Sequence, residues 1–228
     1  MNSLLVVVGL EREARLVGGG ARVILGGRGL AAIMAEKPTA LLSFGLCGGL
    51  DPRLEVGDLV LGETVTTSDG CFAADAAWTN ELANALPAAV KMGVATGPNI
   101  VGSTEAKAAL RQRTGAGAVD METHLVAEAA SKLGAPFAVL RSVSDRADQA
   151  LCAAAQAGFA ANGNPDLWGV VRTLLARPFD LPSLFRTARN AEVAFKTLDA
   201  CNGALPWTAP PAAPPSADRA PGEPGRSQ

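Results

Sequence analysis

The chain has one histidine, His124, and only four cysteines, Cys47, Cys71, Cys152 and Cys201, all far apart. No Cys-x-x-Cys pair or other ligand spacing occurs, so neither a zinc site nor any other bound metal is expected. Scattered thiols fit a reduced cytosolic protein better than a disulfide framework. No block of basic residues is present, and 20 Lys+Arg stand against 22 Asp+Glu for a net charge of −2, which argues against a nucleic-acid partner. No apolar run is long enough to span a bilayer. Met1-Asn2-Ser3 and the run Leu4–Val8 lack the basic region and cleavage site of a signal peptide, and the run reads as a strand. The remaining composition, 48% hydrophobic and 18% charged over 228 residues, suffices for one domain with a sizeable core.

Along the chain, strand-like and helix-like segments alternate. Leu4–Val8 ends in Gly9, and a helix begins near Glu11. Arg22–Leu25 is a short strand ending in Gly26-Gly27-Arg28-Gly29, and Leu30–Glu36 follows as a helix. Ala40–Phe44 is a buried strand running into a turn, Gly45-Leu46-Cys47-Gly48-Gly49. Asp58–Val65 and Lys91–Ala95 are strands, with a helical piece at Glu81–Leu86 between them. Ser103 or Thr104 caps a helix that carries Glu105 and Lys107 near its start and runs through Arg113. Val119, a helix over 123–133 and a strand over 137–143 complete the pattern, which predicts an α/β fold with a largely parallel sheet. Beyond Asp148, Leu167–Leu175 and Leu181–Leu205 read as helices. The second has Leu181, Leu184, Phe185, Ala188, Ala191, Phe195 and Leu198 at helical period. Seven of the fifteen prolines fall in 206–228, so that stretch reads as a disordered tail behind a domain of residues 1–205.

Two segments carry the chemistry: Val119-Asp120-Met121-Glu122-Thr123 and Arg141-Ser142-Val143-Ser144-Asp145-Arg146-Ala147-Asp148. Each sets carboxylates at the edge of an apolar run. Acids that leave a buried parallel strand point into the crevice where such sheets bind ligands. One acid to hold a substrate and another to move a proton suggest an enzyme.

Taken together, the Gly-ended first strand followed by Glu13, GLCGGLDPRLEVGDLV (45–60), VDMETHLVAEAA (119–130) and PFAVLRSVSDRAD (136–148) resemble the nucleoside phosphorylase superfamily. That superfamily includes purine nucleoside phosphorylase and methylthioadenosine/S-adenosylhomocysteine nucleosidase. The likeness covers roughly residues 4–148. It implies a three-layer αβα sandwich with a mixed, mostly parallel central sheet, and cleavage of the N-glycosidic bond of an adenine nucleoside without metal or organic cofactor. Asp145 then serves as the acid at purine N7, beside Ser144. Glu122 holds the ribose 2′-hydroxyl, Met121 lies against the sugar, and Gly45, Gly48 and Gly49 line the site with backbone amides.

The nucleophile is where the motifs diverge. The phosphorylase branch has an arginine where Glu13 stands, and an arginine and a serine in the Gly-rich loop, where this chain has Ser43 and Leu46. Glu13 matches the water-activating glutamate of the nucleosidase branch, although Leu46 departs from that branch as well. Arg12, Arg28 and Arg141 stay open as a phosphate site by another route, so the co-substrate is water or phosphate. A narrower likeness, in SFGLCGGL, DMETH and FDLPSLFRTARNAEVAFKTL, is to the hopanoid-associated phosphorylases, which are assigned to the removal of adenine from adenosylhopane. It implies a lipid-linked substrate, and the superfamily implies a homo-oligomer. The place of action is then the cytoplasm, or the inner face of the membrane.

Plainer readings stand beside these. Asp145 makes a good helix N-cap, and Glu13 sits in a charged turn with Glu11, Arg12 and Arg15. Asp120 and Asp148 read as structural, His124 as packed, and Cys47 as a small buried filler. GGRG at 26–29 is as much a plain turn as a phosphate cradle. The helix over 181–205 reads as core packing, with a membrane-surface role as the alternative. Two rival functions remain: a general purine nucleosidase, and a nucleoside-binding module without turnover.

Overall fold

The computed structural model describes residues 3–151 and 180–207. Among the described residues eight strands are present: β1 (Leu4–Val8), β2 (Arg22–Leu25), β3 (Ala40–Gly49), β4 (Leu59–Thr66), β5 (Cys71–Ala73), β6 (Val90–Thr96), β7 (Ala118–Asp120) and β8 (Phe137–Asp145). The helices are α1 (Glu11–Ala14), α2 (Gly29–Ala35), α3 (Ala76–Ala85), α4 (Thr104–Thr114), α5 (Thr123–Leu133) and α6 (Leu181–Cys201), with 3-10 turns at Gly26–Arg28 and Asn202–Ala204.

The strands form one mixed sheet in the order β2-β1-β3-β7-β6-β4-β5, and β8 pairs with both β3 and β4. Pairings β1–β2, β1–β3, β3–β8, β4–β6 and β6–β7 are parallel; β3–β7, β4–β5 and β4–β8 are antiparallel. Because β8 bridges β3 to β4, the strands β3, β8, β4, β6 and β7 close on themselves.

The core follows from strand periodicity. In β1 Leu5 and Val7 pack with Ile33 and Val126, whereas Leu4, Val6 and Val8 pack with Trp78 and Leu198. β8 divides the same way, Phe137 and Val139 against Ala138 and Leu140. Successive side chains point to opposite faces, so a strand covered on both sides has no polar alternation to show. Helices α2 and α5 cover one face; α3 and α6 cover the other. This is the expected three-layer arrangement.

Several expectations need correcting. Gly45–Gly49 is not a turn but the second half of β3: Gly45 to Gly48 pair with Arg141 to Asp145 of β8, with a bulge between Cys47 and Gly48, and Gly49 pairs with Ala118 of β7. Glycine there weakens strand propensity, but the parallel partner supplies the hydrogen bonds. Helix α3 begins at Ala76, ahead of the periodic stretch, because the Asp75 side chain accepts from the Trp78 amide at 2.8 Å. The short strand β5 left no pattern long enough to read. Helix α6 stops at Cys201. Of its seven-residue apolar stripe only Phe195 and Leu198 are buried, joined by Ala194 and Cys201, while Leu181 and Phe185 are 45% and 68% exposed. Packing continues past residue 205. Trp207 is buried, lies edge-on to Phe44 at 5.5 Å, and donates its indole N–H to Asn202 Oδ1 at 2.8 Å. The helix expected over Leu167–Leu175 and the tail from 208 onward fall outside the described residues. Among the described residues no helix is long and apolar enough to cross a membrane.

Candidate active site

A cavity of about 140 Å³ opens where the chain leaves β1, β3, β6, β7 and β8. Its wall takes Gly9 and Leu10 after β1, Leu46–Gly48 at the end of β3, Asn99–Val101 after β6, and Val119–Glu122 across the β7–α5 junction. Ser144 and Asp145 end β8 there, and Thr187 and Ala191 of α6 close the side. Strand ends of a wound sheet leave such a crevice because the connections diverge from it.

Four carboxylates line this cavity: Glu13, Asp120, Glu122 and Asp145. Glu13 lies in the single turn α1 and is almost fully buried, at 2% exposure. Its Oε2 accepts from the amides of Gly9 at 2.7 Å and Leu10 at 2.9 Å, and its Oε1 accepts from the Leu46 amide at 2.8 Å. A side chain on Gly45, where φ is +150°, would overlap this carboxylate. Burial pushes the Glu13 carboxyl above its ordinary value, against the opposing charge of Arg141 and the three amides.

Glu122 stands at the N-cap of α5, with its side chain 23% exposed. A Cβ on Gly9 or on Gly26 would come within 2.8 Å of it, so two glycines make its room. Its carboxyl is pushed up to about 7, mainly by burial, with Asp120 and Glu13 adding to the rise and Arg141 opposing it. Beneath lies Arg141, 0% exposed and ion-paired with Asp120. It donates to Ser43 Oγ at 2.6 Å, Thr123 Oγ1 at 3.1 Å and the Leu46 carbonyl at 3.3 Å. Asp120 also accepts from the Thr123 amide at 3.2 Å, which pins the start of α5 and sets Glu122.

Asp145 reaches the cavity from the end of β8. Ser144 Oγ lies 2.8 Å from its Oδ1 and 3.1 Å from the Cys47 carbonyl. Its Oδ2 is ion-paired with Lys107 of α4. Cys47 is buried beside it, and burial pushes its thiol up, which keeps it protonated and unreactive.

The fold therefore brings Asp145, Glu13, Glu122, Met121, Ser144 and Gly48 to one cavity and leaves other expected residues outside its wall. Gly45 and Gly49 have their backbones in the β3 pairings. Arg28 is exposed, makes no ion pair among the described residues, and lies off the cavity wall. The Arg141 guanidinium is enclosed by Asp120, Ser43, Thr123 and Leu46, and Arg141 is not among the residues of the cavity wall. Arg12 pairs with Glu192 at 2.6 Å and stacks over Phe195. His124 uses its amide on Thr96 and stays off the cavity wall. Among the described residues no three His, Cys, Asp or Glu converge as metal ligands.

Two features escaped the sequence reading. By sequence Lys107 is only a charge near a helix start, yet it is fully buried. The available signal was its place on one helical face with Leu110 and Thr114. Thr187 and Ala191 carry no pattern that separates a cavity wall from a core.

A family model of the phosphorylase superfamily matches residues 27–176. A 5′-methylthioadenosine/S-adenosylhomocysteine nucleosidase of Marinomonas sp. (strain MWYL1) is 31% identical over an alignment of 134 residues that covers 48% of this chain and 57% of that protein. The chain thus spans little more than half the length of that relative. Among solved structures, the nucleosidase of the same name from Helicobacter pylori, with butyl-thio-DADMe-Immucillin-A, aligns with a TM-score of 0.61 at 19% identity, over 90% of this chain and 99% of that one. Native futalosine hydrolase of Helicobacter pylori strain 26695 aligns with a TM-score of 0.60 at 18% identity, over 90% and 99% of the two chains. These likenesses concern the fold.

Proposed function

The chain belongs to the phosphorylase superfamily, and from that premise we propose that it cleaves the N-glycosidic bond of an adenine nucleoside with water. The observation that carries this reading is the convergence of Glu13, Glu122 and Asp145, from three separate segments, on one cavity. The C1′–N9 bond breaks with its electron pair leaving on the purine, and Asp145, having first taken a proton from solvent, passes it to N7. The ribose becomes oxocarbenium-like, and Glu122 accepts from its 2′-hydroxyl while Met121 lies against the ring. Water adds to C1′ and passes a proton to Glu13. The products are free adenine and a sugar with a hydroxyl at C1′. Glu13 has the acceptor capacity for this step, since three amides leave part of its four lone-pair sites open. A carboxyl raised by burial is also a stronger base than an exposed one.

Water is preferred to phosphate because the cavity wall is acidic. Among the described residues no lysine or arginine lines it, and Arg12, Arg28 and Arg141 are each engaged elsewhere or off its wall. A second anion beside four carboxylates is opposed electrostatically.

For the substrate we take adenosylhopane, in hopanoid synthesis. The narrower likeness in SFGLCGGL and DMETH supports it, as do the apolar walls contributed by Leu10, Ile100, Val101, Leu151 and Ala191. The superfamily resemblance favours a homo-oligomer, and the narrower likeness a place in the cytoplasm or at the inner face of the membrane. A second reading, a methylthioadenosine/S-adenosylhomocysteine nucleosidase, is favoured by the relative from Marinomonas. Adenine release from a panel of nucleosides, soluble and lipid-linked, tests both. Turnover confined to lipid-linked nucleosides supports the first, efficient turnover of methylthioadenosine supports the second, and binding without release rejects both.

A further inference from the structure

Lys107 is 0% exposed, and three acceptors surround its ammonium: Asp145 Oδ2, the Arg146 carbonyl at 2.6 Å and the Gln149 carbonyl at 3.0 Å. Its three N–H bonds are thereby all used. An enclosed ammonium is costly to desolvate, and an apolar side chain of similar volume commonly serves stability at least as well. The lysine therefore needs a reason beyond packing, and its contacts supply one. Asp145 faces the cavity on one side and Lys107 on the other, while Ser144 holds its second oxygen. The same ammonium gathers the chain that follows. Through Arg146 and Gln149 it fixes the turn after β8, and Gln149 Oε1 accepts from Asn190 of α6 at 2.9 Å. That turn ends at Leu151, itself part of the cavity wall.

We propose that Lys107 is the positioning residue of Asp145. It holds the carboxyl aimed at the leaving base and stabilises the carboxylate that remains once the proton has gone to N7. The proposal rests on the reading of Asp145 as the acid. Lys107 does not itself line the cavity and bears on the reacting atoms through Asp145, so its main effect belongs to the chemical step rather than to substrate binding.

The test measures kcat and KM for adenine release by the full-length wild type, Lys107→Met, Lys107→Gln, Asp145→Asn and the double variant Lys107→Met/Asp145→Asn, with thermal melts to establish folding. Lys107→Met is expected to lower kcat at least about tenfold while KM stays within about threefold, the pattern of an interaction used in the transition state. The double variant is expected to be no slower than Asp145→Asn alone, because the carboxyl through which the lysine bears on the chemical step is then gone. Should Lys107→Met fail to fold, the same two expectations apply to Lys107→Gln, which keeps donors for the two carbonyls, and to the double variant, whose pair is neutral. A folded Lys107→Met or Lys107→Gln with wild-type kcat overturns the proposal. So does a double variant whose loss equals the product of the single losses. Wild-type turnover by Asp145→Asn rejects the acid reading itself, a result distinct from a slow Asp145→Asn beside a fast Lys107→Met.

Discussion

Arg141 and Asp120 form an ion pair closed off from solvent, with side chains 0% and 1% exposed, and Arg141 Nη1 stands 3.9 Å from Glu122 Oε2. One enclosed cation thus serves three carboxylates, since its charge also acts on Glu13. Arg141→Met leaves those acids without a counter-ion. Breaking a buried pair from one side costs roughly 3–5 kcal/mol, and a loss of that size is expected in urea unfolding. Adding Asp120→Asn should recover part of it. A loss too small to measure in Arg141→Met would show that the acids are not held by this cation.

Asp145→Asn cannot pass a proton to a leaving purine. Loss of general acid catalysis is typically worth about 10²–10⁴-fold, so kcat for adenine release is expected to fall by that factor. The variant should still fold, with a lowered melting temperature, because Lys107 keeps a buried charge without its partner. Near-normal kcat in the folded variant would remove Asp145 from the chemical step.

Glu122 ties pH to both stability and sugar recognition. Its carboxyl is raised from 4.5 to about 7, first by burial and then by Asp120 and Glu13, against Arg141. The folded protein holds this proton more tightly than the unfolded chain. Its contribution to stability is therefore complete below 4.5 and fades as pH rises through about 7. Glu122→Gln should flatten that part of the stability profile. The ionised form is the acceptor for a ribose 2′-hydroxyl, so kcat/KM on a ribonucleoside should climb with pH through about 7. The climb should vanish in Glu122→Gln and on a 2′-deoxynucleoside. Equal losses on both sugars would place Glu122 elsewhere in the reaction.

Adenine release should proceed at the same rate with and without phosphate and yield a sugar bearing a free C1′ hydroxyl. Mass spectrometry of the product in ¹⁸O-labelled water checks the origin of that oxygen. A strict phosphate requirement with a 1-phosphate product would reverse the assignment of the nucleophile.

Trp207 is the last packed side chain described, set against Phe44. Truncating a buried Trp to Ala typically costs about 3–5 kcal/mol, so Trp207→Ala should melt well below the wild type. Ending the chain at Ala204, which removes Leu205 as well, should be at least as damaging. Melts indistinguishable from full length would mean that this contact contributes nothing.

Much of the fold was legible because it rests on local pattern. Leu4–Val8, Arg22–Leu25 and the helix over 123–133 declare themselves through β-branched runs and helical period, and the structure has them at those bounds. Asp145 and Glu122 stand out because each is a charge placed where an apolar run ends, whereas Glu13 enters only with the family resemblance. Their meeting in one cavity was expected only from resemblance. What the sequence could not determine were relations between distant residues. Gly45–Gly49 looks like a turn until β8 lies beside it, and Arg141 looks like a free cation until Asp120, Ser43 and Thr123 close around it. Lys107 looks like a surface charge until Asp145 arrives from 38 residues away. Trp207 looks like part of a tail until it meets Phe44. Periodicity and propensity act over a few neighbouring residues, so they are written into the chain order. Burial and the pairing of charges depend on which segments the fold brings together, and only the tertiary structure decides that.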